Sequence, residues 1–289
     1  MWHGRAKLAE EAMPARDIDH VVVMTRDLES ARAGWEQLGF TTTPRAVHPF
    51  GTANSLIQMQ GNFVELLEID DAGKIPPMAG GFFSFAEHNR TFLDAGGEGG
   101  SMLVLTSDDR DADRAGWIDA GLHVYDPVDF ERKAKLPDGS ETRVAFSLAF
   151  TGAPALAGLG FFVCQQHTPE AFWKPEYQRH RNGARRITAV TLATANPEAA
   201  RPFLQAYSGG EAGPTGNDGC YGVALARDRI EVVPGSPPAI PALEIAVDDV
   251  EAAAALIPGA WRDGPAIVLP SEIANGVSIR LVPAQRSAQ

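Results

Sequence analysis

Residues 18–25, IDHVVVMT, are apolar and β-branched and predict a strand. Directly after it, Leu28, Ala31, Trp35 and Leu38 recur at helical spacing behind Asp27, which can cap a helix, and Gly39 supplies the stop. Phe40 opens a strand through TTTPRAV, and TANSLIQMQ and NFVELLEI follow as two more, with Gly61-Asn62 as the turn between them. The order is strand, helix, strand, strand, strand.

That order recurs. IDHVVVMTRDLESARAGWEQLGF (18–40) lies over GSMLVLTSDDRDADRAGWIDAGL (100–122), so that Asp27 meets Asp109, Arg32 meets Arg114 and Trp35 meets Trp117. A strand at 101–107, a helix at 110–120 and strands near 122–130, 142–151 and 159–166 complete the second copy. Its insertion ERKAKLPDGSE carries a Pro-Asp-Gly turn. In 167–186, Thr168-Pro169-Glu170 starts a helix and Asn182-Gly183 ends it, with Trp173 and Tyr177 one turn apart to dock it. Two fainter copies follow: ITAVTLATANPEAARPFLQAYSGG with YGVALA and DRIEVV, and ALEIAVDDVEAAAALIPG with AIVLPS and GVSIRLVPA.

A unit repeated at this length is a supersecondary module that buries its open face by pairing, which curls a cleft between partners. The expected architecture is α+β, with four βαβββ modules paired into two domains of curled mixed sheet. The first domain is 17–166 (modules 17–70 and 98–166) and the second 187–289. A connecting helix at 167–186 joins them, and 1–16 is a frayed helical extension without the apolar core of a signal peptide.

Composition narrows the partners. The 289 residues are 44% hydrophobic and 21% charged, as in a soluble globular protein, and the net charge is −12 with a pI near 5.0. Such an acidic balance argues against nucleic acid or an anionic membrane as a partner. Cys164 and Cys220 make neither a disulfide framework nor a zinc spacing, which fits a cytoplasmic protein. No apolar run reaches the ~18 residues of a membrane span. The partner expected is a small molecule, with a homodimer left open. The glycine-rich runs DAGGEGGS and SGGEAGPTGNDG open no phosphate loop, and no Gly-x-Ser-x-Gly elbow occurs.

The chemistry concentrates in the first module. His20 lies in the middle of its first strand, on the side of Ile18 and Val22, and Glu65 in its last, on the side of Phe63 and Leu67. Each interrupts an apolar run, and burying an unpaired carboxylate costs several kcal/mol, so Glu65 needs a partner, a metal or water. An imidazole and a carboxylate on one cleft suit Zn, Fe, Mn or Ni; the plainer alternative is a hydrogen-bonded core histidine and a solvent-facing glutamate. His48, in HPFGTAN, ends the second strand where it can lean into the cleft or sit on the surface. Asn54 and Gln58, on one face of the third strand, can hydrogen-bond a polar molecule. Phe82, Phe83 and Phe85 fall in a glycine-rich connection that could close over a ligand or plug the seam between modules. Cys164, among Phe161, Phe162 and Val163, reads as a buried inert thiol, and Trp35 and Trp117 as core.

With IDHVVV and FVELLEI in corresponding positions, the repeat resembles the vicinal oxygen chelate superfamily, which includes glyoxalase I, extradiol dioxygenases and fosfomycin- and bleomycin-resistance proteins. HPFGTANSLIQMQGNFVELLEI (48–69) and CQQHTPEAFWKPEYQRHRNGA (164–184) look like its glyoxalase-like domain proteins. The resemblance implies two glyoxalase-like domains and a divalent ion, Zn, Fe, Mn or Ni, that chelates two oxygens of a small oxygen-rich or aromatic molecule as a Lewis acid. It implies His20 and Glu65 as ligands, with some of His48, Gln165 or His167 completing the shell. Glu65 and His48 are the catalytic candidates, and Asn54, Gln58, Phe83 and Phe85 the substrate-binding ones. The other modules depart from the pattern: Met102, Ala189 and Ala242 stand at the histidine position, Val232 at the third module's glutamate position, and Cys164 near that of the second. The second domain is therefore expected to be degenerate. Lyase or isomerase chemistry and dioxygenation both stay open, beside a non-catalytic module that sequesters a small molecule.

Overall fold

A computed structural model describes residues 14–135 and 141–284; the proposed extension up to residue 13 and the Pro-Asp-Gly turn lie outside the described residues. The first module runs β1 (Ile18–Met24), α1 (Leu28–Gln37), β2 (Ala46–Val47), β3 (Thr52–Gln58) and β4 (Phe63–Ile69), and α2 (Phe85–Gly96) leads to the second. The second module is β5 (Gly99–Thr106), α3 (Arg110–Asp119), β6 (His123–Val124), β7 (Val128–Lys135), β8 (Glu141–Gly152) and β9 (Gly160–Gln166), and α4 (Pro169–Phe172) follows it. The third is β10 (Ala184–Thr194), α5 (Pro197–Ser208), β11 (Glu211–Pro214), β12 (Tyr221–Ala224) and β13 (Arg229–Pro234). The fourth is β14 (Ala239–Val247), α6 (Val250–Ala255), β15 (Trp261–Asp263), β16 (Ala266–Leu269) and β17 (Ser278–Pro283).

The repeated aspartate has a structural cause. Asp27 accepts hydrogen bonds from the amides of Glu29 and Ser30, Asp109 from Asp111 and Ala112, and Asp249 from Glu251 and Ala252. Each satisfies first-turn donors that a helix leaves open. In every module the first strand pairs in parallel with the last: β1 with β4, β5 with β9, β10 with β13 and β14 with β17. The first strands of two modules then pair antiparallel, β1 with β5 and β10 with β14, which makes a curled mixed sheet in each half. The halves meet where Ile240 pairs with Gly100.

One apolar cluster runs through both halves and includes Trp35, Trp117, Tyr207, Leu243 and Leu281. The Tyr207 hydroxyl, on α5, lies 2.8 Å from the carbonyl oxygens of both Leu103 and Phe162 in the first half. A second cluster, with Val22, Met24, Phe83, Phe150 and Phe162, lies on the opposite face of the first sheet.

Four local expectations change. Residues 40–45 are not a strand, because Thr41 bonds to His180 and Arg179 instead of a ladder and Pro44 has no donor. The stretch from Phe85 is the helix α2 and not a loop: Ser84 accepts from the Glu87 amide, a Ser-x-x-Glu start. The connecting helix lasts one turn, Pro169–Phe172, since Pro175 keeps the residue before it out of the helical region; Trp173 and Tyr177 therefore do not share a helix face. Ile18 does not share a face with His20. The β1–β5 register slips between Ile18 (opposite Leu105) and His20 (opposite Val104), a bulge that turns Ile18 into the cluster of Val21 and Val23.

Candidate functional site

The bulge also builds the site. Successive strand residues ordinarily face opposite ways, yet Asp19 Oδ1 lies 2.6 Å from Nδ1 of His20. The other Asp19 oxygen accepts from Gln166 Nε2 at 2.9 Å. A carboxylate only accepts, so the proton of this contact sits on Nδ1, and in the neutral imidazole Nε2 then carries the lone pair. That atom lies 3.6 Å from Glu65 Oε2. The other Glu65 oxygen accepts from Asn54 Nδ2 at 2.6 Å. His20 and Glu65 are 5% and 6% exposed, and the imidazole lies on the ring of Phe63, with centroids 4.3 Å apart and planes 13° apart.

These groups form the polar end of a cavity of about 140 Å³ lined by ten of the chain's fourteen phenylalanines. Phe50, Phe85, Phe130 and Phe162 meet edge to face around it, an arrangement aromatic quadrupoles favour. Phe83 stacks on Phe150 at 4.5 Å. Among the described residues no lysine or arginine lines the cavity. Cys164 does, and burial pushes its thiol well up, helped by the carboxylates of Asp19 and Glu65.

The cavity brings His20, Glu65, His48, Asn54, Phe83 and Phe85 together. His48 is buried at its edge, with Nδ1 2.8 Å from Thr52 Oγ1 and its ring stacked on Phe50. Gln58 is elsewhere: its amide donates to Phe172 O and accepts from Lys174 N, pinning the chain after α4. His167 lies in a separate shallow cleft with Nε2 2.8 Å from Ser147 Oγ, and Gln165 bonds to Arg110 N and Asp108 O. Sequence reasoning missed Asp19 and the phenylalanines of β7, β8 and β9. Asp19 was visible only as the polar neighbour of His20, because a bulge leaves no mark in the apolar pattern.

Strand register fixes which residues are equivalent. Val22 faces both Glu65 and Met102, so Met102 matches His20 and Phe162 matches Glu65. In the second half the corresponding positions are Ala189, Glu231, Ala242 and Arg280, so the third module keeps a glutamate one residue before the expected Val232. There Arg229 binds both Glu231 and Glu244, and the site is closed by ion pairs.

A divalent ion can be tested against these donors. His20 and Glu65 qualify, whereas Met102 and Phe162 do not, and catalytic sites typically draw three protein ligands. Among the described residues no three His, Cys, Asp or Glu side chains assemble into a metal-holding group. The Asp19–His20 bond does not discriminate, since it orients metal-bound and proton-transferring histidines alike. Of the four expected ligands, His20, Glu65 and His48 line one cavity, and His167 lies in the separate cleft.

Residues 18–208, more than half of the chain, match the family described as glyoxalase-like domain. The chain belongs to the glyoxalase-like domain family. The matched span contains every residue that lines the cavity. No curated protein matches the sequence. Among solved structures, a hypothetical protein from Staphylococcus aureus superposes with a TM-score of 0.71 at 15% identity, over 93% of this chain and 100% of that one. An Mn(II)-bound glyoxalase from Novosphingobium aromaticivorans gives 0.58 at 14% identity, over 95% and 86%. A mutant 4-hydroxymandelate synthase from Streptomyces coelicolor gives 0.57 at 12%, over 96% and 94%. These likenesses establish a vicinal-oxygen-chelate fold for this glyoxalase-like protein. No helix among its described residues is long and apolar enough to cross a membrane.

Proposed function

We propose that this glyoxalase-like protein is an enzyme that takes a small ring-bearing molecule into the phenylalanine-lined cavity and moves a proton at its oxygen-bearing end. One observation carries the reading: Glu65 and His20 present Oε2 and Nε2 3.6 Å apart at the polar end of an apolar cavity. Asn54 donates to the other oxygen of that carboxylate and so fixes which oxygen faces the imidazole. Glu65 takes the proton from the carbon next to the substrate carbonyl, and the electron pair left behind delocalises onto the carbonyl oxygen. Glu65, or His20 Nε2 after receiving the proton from Glu65, then returns it to the neighbouring carbon. His48 orients the far oxygen from the cavity edge. The chemistry is isomerase- or lyase-like. Iron-type ring cleavage is not favoured, because His20, His48 and Glu65 do not assemble into a three-residue donor set.

The test is proton exchange. Small aryl hydroxyketones incubated with the protein in D₂O are expected to take up deuterium next to the carbonyl, and Glu65→Gln to slow this by about 10²-fold or more. Binding without exchange would instead establish the second reading, a sequestering protein, which the apolar Met102 and Phe162 at the matching positions favour. The divalent-metal dependence expected from the fold is checked by elemental analysis of protein purified without a histidine tag. A stoichiometric ion that disappears in His20→Ala would replace proton transfer by metal-assisted chemistry.

A further inference from the structure

The charge and hydrogen-bonding character of the cavity narrows the ligand further, granted that the cavity is where the small molecule binds. Its deep polar end consists of acceptors. In the neutral imidazole, with its proton on Nδ1 toward Asp19, His20 Nε2 offers a lone pair, and Glu65 Oε2 3.6 Å away offers another. The amide of Asn54 already spends a donor on Glu65. In that tautomer two acceptors face each other in an apolar site and stay unsatisfied until a ligand donor reaches them.

Among the described residues no lysine or arginine offsets this. Glu65 lines the cavity, and Asp19 lies on the other edge of the His20 ring. The second half shows what the same register positions hold when cations are wanted. Arg229 stands where the first half has Phe63, and Arg280 where it has Phe162. The first half thus puts two rings beside Glu65, at positions where its own repeat puts two guanidiniums. A carboxylate or phosphate brought there would lose its water and meet like charge.

Size sets the remaining limit. The cavity offers about 140 Å³ and opens to solvent on one side, and an apolar protein cavity of about 150 Å³ takes up benzene. We infer that the site selects uncharged single-ring molecules ending in a hydroxyl group, whose hydrogen lies between His20 Nε2 and Glu65 Oε2, and rejects ring compounds that end in a carboxylate.

Three matched probes test this by calorimetry on the full chain in EDTA: 2-phenylethanol, phenylacetate and ethylbenzene. The alcohol is expected to bind at least tenfold more tightly than either of the others. Glu65→Gln, which keeps the shape and removes the charge, is expected to bring phenylacetate to within about threefold of the alcohol. Asp19→Asn is the second variant and is expected to narrow the same ratio from behind the imidazole. Phenylacetate binding as tightly as the alcohol, or ethylbenzene doing so, overturns the inference while leaving the cavity as the binding site. So does a carboxylate preference that appears on adding Mn²⁺, since the site would then read anions through the ion. If none of the three binds, the reading of the cavity itself fails.

Discussion

Asp19 and Glu65 address opposite edges of one imidazole: Asp19 Oδ1 is 2.6 Å from Nδ1 of His20, and Glu65 Oε2 is 3.6 Å from its Nε2. They come from different strands, and Asp19 reaches the ring only because the β1–β5 register slips beside it. The first contact is a hydrogen bond, and the second is a longer separation that a proton can cross or a ligand hydroxyl can approach from the side. The asymmetry gives the two carboxylates different work, one orienting the ring and the other meeting the substrate.

Asp19→Asn separates these roles. The amide can donate to Nδ1, which moves the ring proton to Nε2 and turns the acceptor facing Glu65 into a donor. Two-bond ¹H–¹⁵N spectra are expected to show the Nδ1–H tautomer in the native protein and the Nε2–H tautomer in the variant, and exchange is expected to fall by about 10²-fold or more. Native His20 found already as Nε2–H would remove Asp19 from the site.

How much of this was legible in the sequence follows from what each signal depends on. The fourfold module was readable because helix caps and strand alternation are local: Asp27, Asp109 and Asp249 each bond to amides two and three residues ahead. His20 and Glu65 were readable as polar interruptions of apolar strands. Gln58 could not be told from Asn54, because both lie on one face of β3 and only the return of the chain at Phe172 decides which amide is occupied. The phenylalanines of β7, β8 and β9 looked like ordinary strand residues, and their convergence on His20 depends on pairing between modules. Ser84 was different: Ser-x-x-Glu before Phe85 was a local helix signal that the neighbouring glycines obscured.

Ser84 holds the helix that presents Phe85. Its hydroxyl accepts from Glu87 N at 3.2 Å and also donates to Pro76 O, tying the start of α2 to the segment in front of it. Ser84→Ala is expected to cost about 1–2 kcal/mol in urea unfolding, as loss of a helix cap does. Affinity for the alcohol probe is expected to fall with it, because Pro76, Phe82 and Phe85 all line the cavity. Stability loss with unchanged affinity would show that the cap serves α2 alone.

Cys164 reports on the cavity. Its thiol is buried and pushed well above the ordinary thiol range by burial, then by Asp19 and Glu65. A raised value keeps the reactive thiolate scarce at a given pH, so alkylation is expected to be slow at pH 8 and to climb as pH rises past 9. Glu65→Gln removes one of the raising charges and is expected to speed the reaction at fixed pH, while a bound ring compound blocks it. Mass spectrometry reads Cys164 against Cys220, which is partly exposed in the second half. Rapid alkylation of Cys164 at pH 7, unaffected by ligand, would mean that the thiol is not walled in by the cavity.

Tyr207 tests whether the second half supports the site. It is fully buried on α5, stacks against Phe203 and lies within ring contact of Trp117 and Phe161. Its hydroxyl lies between the carbonyls of Leu103 and Phe162, one on the first strand of the second module and the other beside His20. Tyr207→Phe keeps the packing and leaves both carbonyls without this donor, so a loss of about 1–3 kcal/mol is expected in chemical denaturation. Phe162 packs edge-on against His20 at 5.5 Å, so loosening β9 reaches the cavity wall. The expected consequence is a drop of several-fold in alcohol affinity. Tyr207→Ala, which removes the ring as well, is expected to cost about 3–5 kcal/mol. If Tyr207→Phe lowers stability and leaves affinity untouched, the second half only supports the first mechanically, and the geometry of His20 is set entirely within the first two modules.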